Sequence, residues 1–311
     1  MKDAVQNVLA VVVSYNRREL LMQCIHSLLK QDNAACDVLV VDNASTDGTG
    51  EAVNSLQNKR VSYYNTGKNL GGAGGFNVGL RLGFEKGYTY LWVMDDDTLP
   101  KSDALAALLE ADRVAPEGYG YLSSVVLWTD GGECRMNRQK LKKSFYIDSP
   151  LLRYGMVLCE QATFVSLFLP AKTIGAVGLP IRDFFIWGDD IEYTRRIAVR
   201  KAMPSYLVGR SQVVHAMKDN NGSSIAKDLP ERIPRYRYAY RNDHYTYRKE
   251  GVRGFAFYTA KCILNMGRIL KYSKTYRFRR LGIIVGQYIA GFFFRPKVEA
   301  VTYSKESGKD L

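Results

Sequence analysis

Apolar residues along the first 115 positions alternate between two patterns, and the alternation sets the expected architecture. Residues 8–13 form an uninterrupted apolar run, as a strand buried on both faces requires. Residues 18–30 instead carry Leu20, Leu21, Cys24, Ile25, Leu28 and Leu29 at helical spacing. Residues 37–42 read as a second strand, followed by polar turn chemistry at 43–49 and a short helix. A third, shorter strand is expected at 61–64 and a fourth at 90–94, with a helix to about Lys86 after a glycine-rich loop at 69–79. Such alternation predicts an α/β protein built on a doubly wound parallel sheet.

The pattern changes after Pro116-Glu117-Gly118. Residues 121–128 and 163–169 read as strands, separated by a basic, polar insert at 135–143 that is expected to be a mobile loop near the second substrate. An aromatic-rich approach at 178–187 ends in Asp189-Asp190 at the start of a helix to about Arg200, and a strand at 205–215 ends in His215. Farther on, residues 255–270 and 281–294 place apolar faces between basic runs.

Chemistry enters where the fourth strand stops at Asp95-Asp96-Asp97. Three carboxylates ending a buried strand repel one another and lose hydration, a cost that a divalent cation would offset. Mg²⁺ and Mn²⁺ both favour oxygen ligands. In extended backbone Asp95 and Asp97 share a face and Asp96 points elsewhere, which suits an Asp-x-Asp clamp for a metal-bound diphosphate. The competing reading is a solvated acidic turn capping a helix that begins near Pro100. In parallel sheets ligands sit beyond the carboxyl ends of the strands. Arg17, Asp42, the glycines at 71–75 and Asp95–Asp97 all fall on that edge, so together they point to a nucleotide site. No P-loop pattern occurs. Asp189 or Asp190 either caps its helix or supplies a general base, and Trp187 offers a face for a sugar ring. His26 reads as a helix-surface histidine, and a lone His215 as structural.

Charge adds a second theme. Residues 231–311 hold 18 Lys and Arg against 6 Asp and Glu, a net of +12, which leaves +1 for residues 1–230. That segment also carries 10 of the 21 tyrosines. A basic, aromatic segment suits an anionic membrane surface, where rings and cations are both accommodated. Nucleic acid is the alternative partner, but no RNP, KH or zinc-finger pattern accompanies the run, and none is expected to bind. Five cysteines without a CxxC make a disulfide framework or zinc site poor explanations and fit a reducing cytosol. No signal sequence and no spanning helix are expected.

Read in order, Val11-Val12-Val13-Ser14-Tyr15-Asn16-Arg17, Val41-Asp42-Asn43-Ala44-Ser45-Thr46-Asp47, Asn69-Leu70-Gly71-Gly72, Asp95-Asp96-Asp97 and Trp187-Gly188-Asp189-Asp190-Ile191-Glu192-Tyr193 resemble the glycosyltransferase family 2 enzymes. Within that family the chain is most similar to bacterial galactofuranosyltransferases, with dTDP-rhamnose-using rhamnosyltransferases close behind. The glycine between Trp187 and the acid pair departs from the Trp-Asp-Asp of some galactofuranosyl enzymes.

The resemblance implies a Rossmann-like glycosyltransferase-A fold with a mixed, mostly parallel sheet over residues 1–230. Residues 231–311 would then be a mainly helical, basic region for membrane or acceptor association. It implies a metal-dependent inverting hexosyltransferase that moves galactofuranose from UDP-galactofuranose to a polyprenyl-diphosphate-linked glycan at the cytoplasmic face of the membrane. It also implies site roles. Tyr15, Arg17, Asp42, Asn69, Gly71, Gly72 and Asp96 would line the donor. Asp95, Asp97 and His215 would hold Mn²⁺ or Mg²⁺. Asp190 would be the base, its pKa raised by Asp189, with Asp189 and Trp187 on the acceptor. A non-catalytic nucleotide- or membrane-binding protein on the same fold is the alternative of another class. The oligomeric state is left open.

Overall fold

The computed structural model describes residues 7–143 and 149–302. The strands β1 (Val8–Ser14), β2 (Asp37–Asp42), β3 (Val61–Asn65) and β4 (Tyr90–Asp95) lie parallel in the order β3-β2-β1-β4. They are connected by α1 (Arg18–Leu29), α2 (Thr49–Ser55) and α3 (Gly71–Glu85). All of β1 is buried because helices cover both its faces. Val8, Ala10 and Val12 join a core with Leu21, Ile25 and Leu28 of α1; Leu9, Val11 and Val13 join another with Phe76, Leu80 and Phe84 of α3.

The chain continues through β5 (Thr98–Pro100), α4 (Ala104–Val114), β6 (Leu122–Leu127), β7 (Lys140–Leu141), α5 (Ser149–Leu152), β8 (Met156–Gln161), β9 (Leu167–Pro170), α6 (Ala171–Val177), α7 (Asp189–Arg195) and β10 (Tyr206–His215). Here the sheet turns mixed. β9 runs antiparallel between β4 and β6, whereas β10 is parallel to β6 and antiparallel to β8. Residues 98–100 are not the start of a helix. They form a short strand that places Thr98 opposite His215, and α4 begins only at Ala104. That pairing carries a histidine 118 positions away from Asp97 to the acidic triplet. The strand expected at 163–169 is confined to Leu167–Pro170, and β8 was not legible because its burial follows no clean alternation.

The largest departure from the sequence pattern lies at the glycine run. Residues 71–79 are no loop; they form the first turns of α3, with Gly71 in a left-handed conformation at its start. Their smallness serves packing. A Cβ on Gly75 would stand 2.5 Å from the Val13 side chain, one on Gly79 2.3 Å from Val11, and one on Gly83 2.4 Å from Leu91. These glycines recur every four residues, so one face of α3 lies directly on β1, β2 and β4. Gly79→Ala is therefore expected to lower unfolding free energy by about 1–3 kcal/mol through overpacking. That loss should outweigh the ~1 kcal/mol gain in helix propensity. Urea unfolding checks it, and equal or higher stability would contradict the packing argument.

After residue 230 the chain forms α8 (Tyr236–Arg248), α9 (Gly251–Tyr272) and α10 (Arg277–Phe293). Tyr236, Tyr240, Tyr247, Tyr258, Cys262, Ile269, Ile283 and Ile284 make their shared core. Tyr236, Tyr240, Tyr245 and Tyr247 of α8 are thus interior residues and not a headgroup-facing row. The outward apolar side chains sit on α9 and α10 instead, among them Phe257, Ile263, Leu264, Phe278, Ile289 and Phe293. Among the described residues no helix is long and apolar enough to cross a membrane. The segment after α10 returns to the sheet, where Glu299 pairs with Arg81 of α3 at 2.5 Å and its carbonyl accepts the Leu179 N–H at 2.8 Å.

Candidate active site

The carboxyl ends of β1 and β4, the start of α7, the end of β10 and the inner sides of α8 and α9 enclose an open cleft of about 840 Å³. Arg17, Gly72, Asp95, Asp97, Trp187, Asp189, Asp190 and His215 all line it. Tyr15, Asp42, Asn69, Gly71 and Asp96 do not.

Asp95, Asp97 and His215 can each offer a ligand atom within 4.8 Å of the others. His215 Nε2 lies 2.9 Å from Asp97 Oδ1, and its Nδ1 lies 2.8 Å from Asn137 Oδ1. Asp97 Oδ2 accepts the Arg17 guanidinium at 2.7 Å. Asp96 turns away from this group; it accepts Ser14 Oγ–H at 2.8 Å and Arg17 at 3.2 Å. Burial, then Asp97, pushes the Asp95 carboxyl up to about 7. Burial also pushes Asp96 up to about 6 against the pull of Arg17. Burial alone would raise Asp97, but His215 and Arg17 outweigh it and hold it below the usual range. Burial would likewise lower His215, yet the Asp97 hydrogen bond and its acidic surroundings keep it near 10. Two carboxylates and an imidazole that converge within 4.8 Å, with Asn137 on the other imidazole nitrogen, form a donor set that suits Mn²⁺.

On the opposite wall, left-handed Gly188 starts α7 and brings Asp189 and Asp190 to the cleft. Asp190 Oδ1 accepts the Ile191 N–H at 2.7 Å. Burial pushes Asp190 up to about 6, opposed by that N–H and reinforced by Asp243 of α8. Asp189 is raised well above its ordinary value, first by burial and then by Asp190. The two neighbouring carboxyls repel one another, and Asp243 of α8 is a further acid that raises Asp190. Trp187 meets Tyr236 edge-on with centroids 5.0 Å apart, and Arg232 lies 5.9 Å over its ring.

The remaining donor-side candidates lie outside the cleft lining. Asp42 is fully buried, with Oδ1 accepting the N–H and hydroxyl of Ser45 and Oδ2 accepting Tyr63 O–H at 2.5 Å. Asn69 Oδ1 accepts the Gly71 N–H at 2.8 Å, and Tyr15, just after β1, is 45% exposed. The insert at 135–143 is ordered over its described length, with a 3₁₀ turn at Arg135–Asn137 that brings Asn137 to His215; part of the surrounding loop, residues 144–148, lies outside the described residues. Sequence reading missed Asn137, Arg232, Asp243 and Lys261. Asn137 carries no pattern, while Arg232 in the 3₁₀ turn before α8, Asp243 on α8 and Lys261 on α9 become informative only once these helical segments are known to face the cleft.

Residues 9–147 match the family model described as glycosyl transferase family 2. Galactofuranosyltransferase GlfT1 of Mycolicibacterium smegmatis is 27% identical over 259 residues, covering 79% of this chain and 84% of that protein. GlfT1 of Mycobacterium tuberculosis is 30% identical over 227 residues, 64% of this chain and 66% of that protein. Among solved structures, that of GalNAc-T7 with UDP, GalNAc and Mn²⁺ superposes with a TM-score of 0.59 at 15% identity. The match covers 81% of this chain but only 52% of that one, so the chain spans about half its length and shares the fold.

Proposed function

The chain belongs to glycosyltransferase family 2 and is a hexosyltransferase of glycosyltransferase-A fold, and from that premise we propose that it moves galactofuranose from UDP-galactofuranose, with inversion, to a hydroxyl of a lipid-linked cell-surface glycan. The observation that carries the chemistry is the pairing, across one cleft, of the Asp95-Asp97-His215 cluster with the Asp189-Asp190 acid pair at the start of α7. The donor sugar is supported by the likeness to the two GlfT1 enzymes.

Asp95, Asp97 and His215 would hold Mn²⁺ or Mg²⁺. Bound there, the ion would supply charge neutralisation for the departing nucleoside diphosphate. Arg17 adds a fixed cation on the same side, and Gly72 leaves room for the donor at the cleft wall. Tyr15, Asp42, Asn69, Gly71 and Asp96 would act from the rim, by fixing the loops that bound the nucleoside.

Asp190 would take the proton from the acceptor hydroxyl as that oxygen attacks the anomeric carbon from the face opposite the leaving group. Its carboxyl near 6 is ionised at neutral pH yet more basic than an ordinary aspartate. Asp189, beside it on the same cleft wall, would help to bind the acceptor. Trp187 would offer its face to the acceptor sugar. Residues 1–230 would supply the donor half, and residues 231–311 would complete the acceptor half through α8 and α9.

A screen of nucleotide sugars with Mn²⁺, reading released nucleotide, tests the proposal. Turnover of UDP-galactofuranose is expected, selection of dTDP-rhamnose would change the donor, and no turnover of any would sink the enzyme reading.

The acceptor side also bears on location. Lys261, Asn265 and Arg268 of α9 line the cleft, while Ile263 and Leu264 on the same helix are exposed. An apolar face next to cations suits the cytoplasmic leaflet of an anionic membrane, where a polyprenyl-diphosphate glycan would be presented. Phe278, 90% exposed, and Phe293, 79% exposed, are the most prominent rings on α10. Phe278→Asp/Phe293→Asp is expected to cut co-sedimentation with phosphatidylglycerol vesicles at least about tenfold, given the ~0.8 kcal/mol that each buried carbon contributes. Unchanged sedimentation would rule this face out.

A further inference from the structure

The segment that delivers Trp187, Asp189 and Asp190 is held in an unusual conformation. Phe185 has φ 64° and ψ −64°, and the Ile186 N–H donates to the Phe184 carbonyl at 2.8 Å across it. That is the positive-φ form of the γ-turn, which non-glycine residues rarely adopt. Trp187 follows at φ 63° and Gly188 at φ 87°. Two bulky aromatic residues with left-handed backbone inside five positions need an outside agent to keep them there.

That agent is visible on α8. Asn242 is fully buried and does not line the cleft. Its amide nitrogen donates toward the carbonyls of Phe184 at 3.0 Å, Ile186 at 3.3 Å and Trp187 at 2.8 Å. Its oxygen accepts the Arg241 guanidinium at 3.1 and 3.0 Å, and Arg241 reaches on to the Asp183 carbonyl at 2.8 Å. One side chain therefore gathers three carbonyls that the turn points to one side.

The carbonyl it does not gather is equally informative. Phe185 C=O points the other way and accepts the Ala73 N–H at 3.1 Å, in the first turn of α3. A Cβ on Gly71 would lie 2.0 Å from that oxygen, so the contact needs glycine there. The strained turn thus has donor-side backbone on one flank and Asn242 on the other.

We propose that Asn242 is a positioning residue for sugar transfer, holding the turn at 184–188 so that the acid pair of α7 and the donor-side start of α3 keep one fixed relation. The inference rests on the functional reading above and deepens it by naming what aligns the two halves of the cleft. A plain packing anchor would cost stability when removed; a positioning residue costs turnover while the nucleotide still binds. Misplacement of reacting groups by about 1 Å lowers rates about 100-fold, which sets the scale of the effect.

The full chain, with Asn242→Ala and the isosteric Asn242→Asp, tests this in two ways. With the donor that the wild type turns over, kcat should fall about 10- to 100-fold in both variants, with UDP affinity in Mn²⁺ changed less than about twofold. Hydrogen exchange should quicken at the Ile186 amide and at the Ala73 amide across the turn, with the amides of α9 and α10 unchanged. Phe185→Gly removes the side-chain penalty for positive φ, so in that background Asn242→Ala should cost less than it does alone. Turnover within twofold of wild type, or unaltered exchange at Ala73, would overturn the proposal. If wild type turned over no nucleotide sugar, the functional reading would fall and the exchange data would still decide the clamp.

Discussion

Asp190→Asn should lower sugar transfer by about 10²–10⁴-fold, the usual contribution of a positioned base, with nucleotide affinity within about twofold of wild type. The substitution keeps shape and the capacity to accept the Ile191 N–H, and removes only the site that takes a proton. Because the proposed base would work ionised and its carboxyl lies near 6, kcat/KM should be flat near neutrality and fall about tenfold per pH unit below pH 6. Asp243→Asn removes the acid that raises it, so that limb should move to lower pH. Initial rates of the wild type and of Asp243→Asn across pH 5–8 would check both statements. An Asp190→Asn enzyme with near-normal turnover would reassign the base, with Asp189 the next group to examine.

The second large effect belongs to the metal cluster. Asp97→Asn should weaken Mn²⁺ binding more than about 100-fold, because it removes one of the three groups proposed to hold the ion and the partner of His215. Asn137→Ala should weaken it about 10- to 100-fold, the usual penalty for losing an outer partner of a ligating imidazole. Titration of Mn²⁺ followed by electron paramagnetic resonance reads both without any sugar donor. Chelation should silence wild-type transfer, and added Mn²⁺ should restore it. Full activity in chelator would remove the metal from the proposal.

The core of this arrangement was legible in the sequence for identifiable reasons. Strands buried on both faces announce themselves as runs such as residues 8–13 and 90–94, and their ends mark the ligand edge of a parallel sheet. Asp95, Asp97, Asp189 and Asp190 stood out because charge beside an apolar run is costly without a partner. Pattern alone left His215 a single imidazole, and only the family resemblance tied it to the acids; the pairing of β5 with the end of β10 that brings it there is encoded by no local pattern. The glycine run misled as a loop because glycine lowers helix propensity, and here the sheet surface overrides that preference. Asn242 was hidden for a different reason: its partners are backbone carbonyls, which leave no trace in side-chain chemistry.

The same glycine helix has a consequence for the order in which the protein assembles. Six of the 15 residues of α3 are glycine, each about 1 kcal/mol poorer than alanine in an isolated helix. A segment so composed has almost no tendency to form before its docking surface exists. β1, β2 and β4 must therefore be paired first, and α3 then condenses onto them with its leading turn and the Phe185 carbonyl that meets it. In kinetic terms, mutations in α3 should speed unfolding far more than they slow folding. The wall of the cleft that α3 builds would then be among the last parts of the molecule to form and the first to come apart.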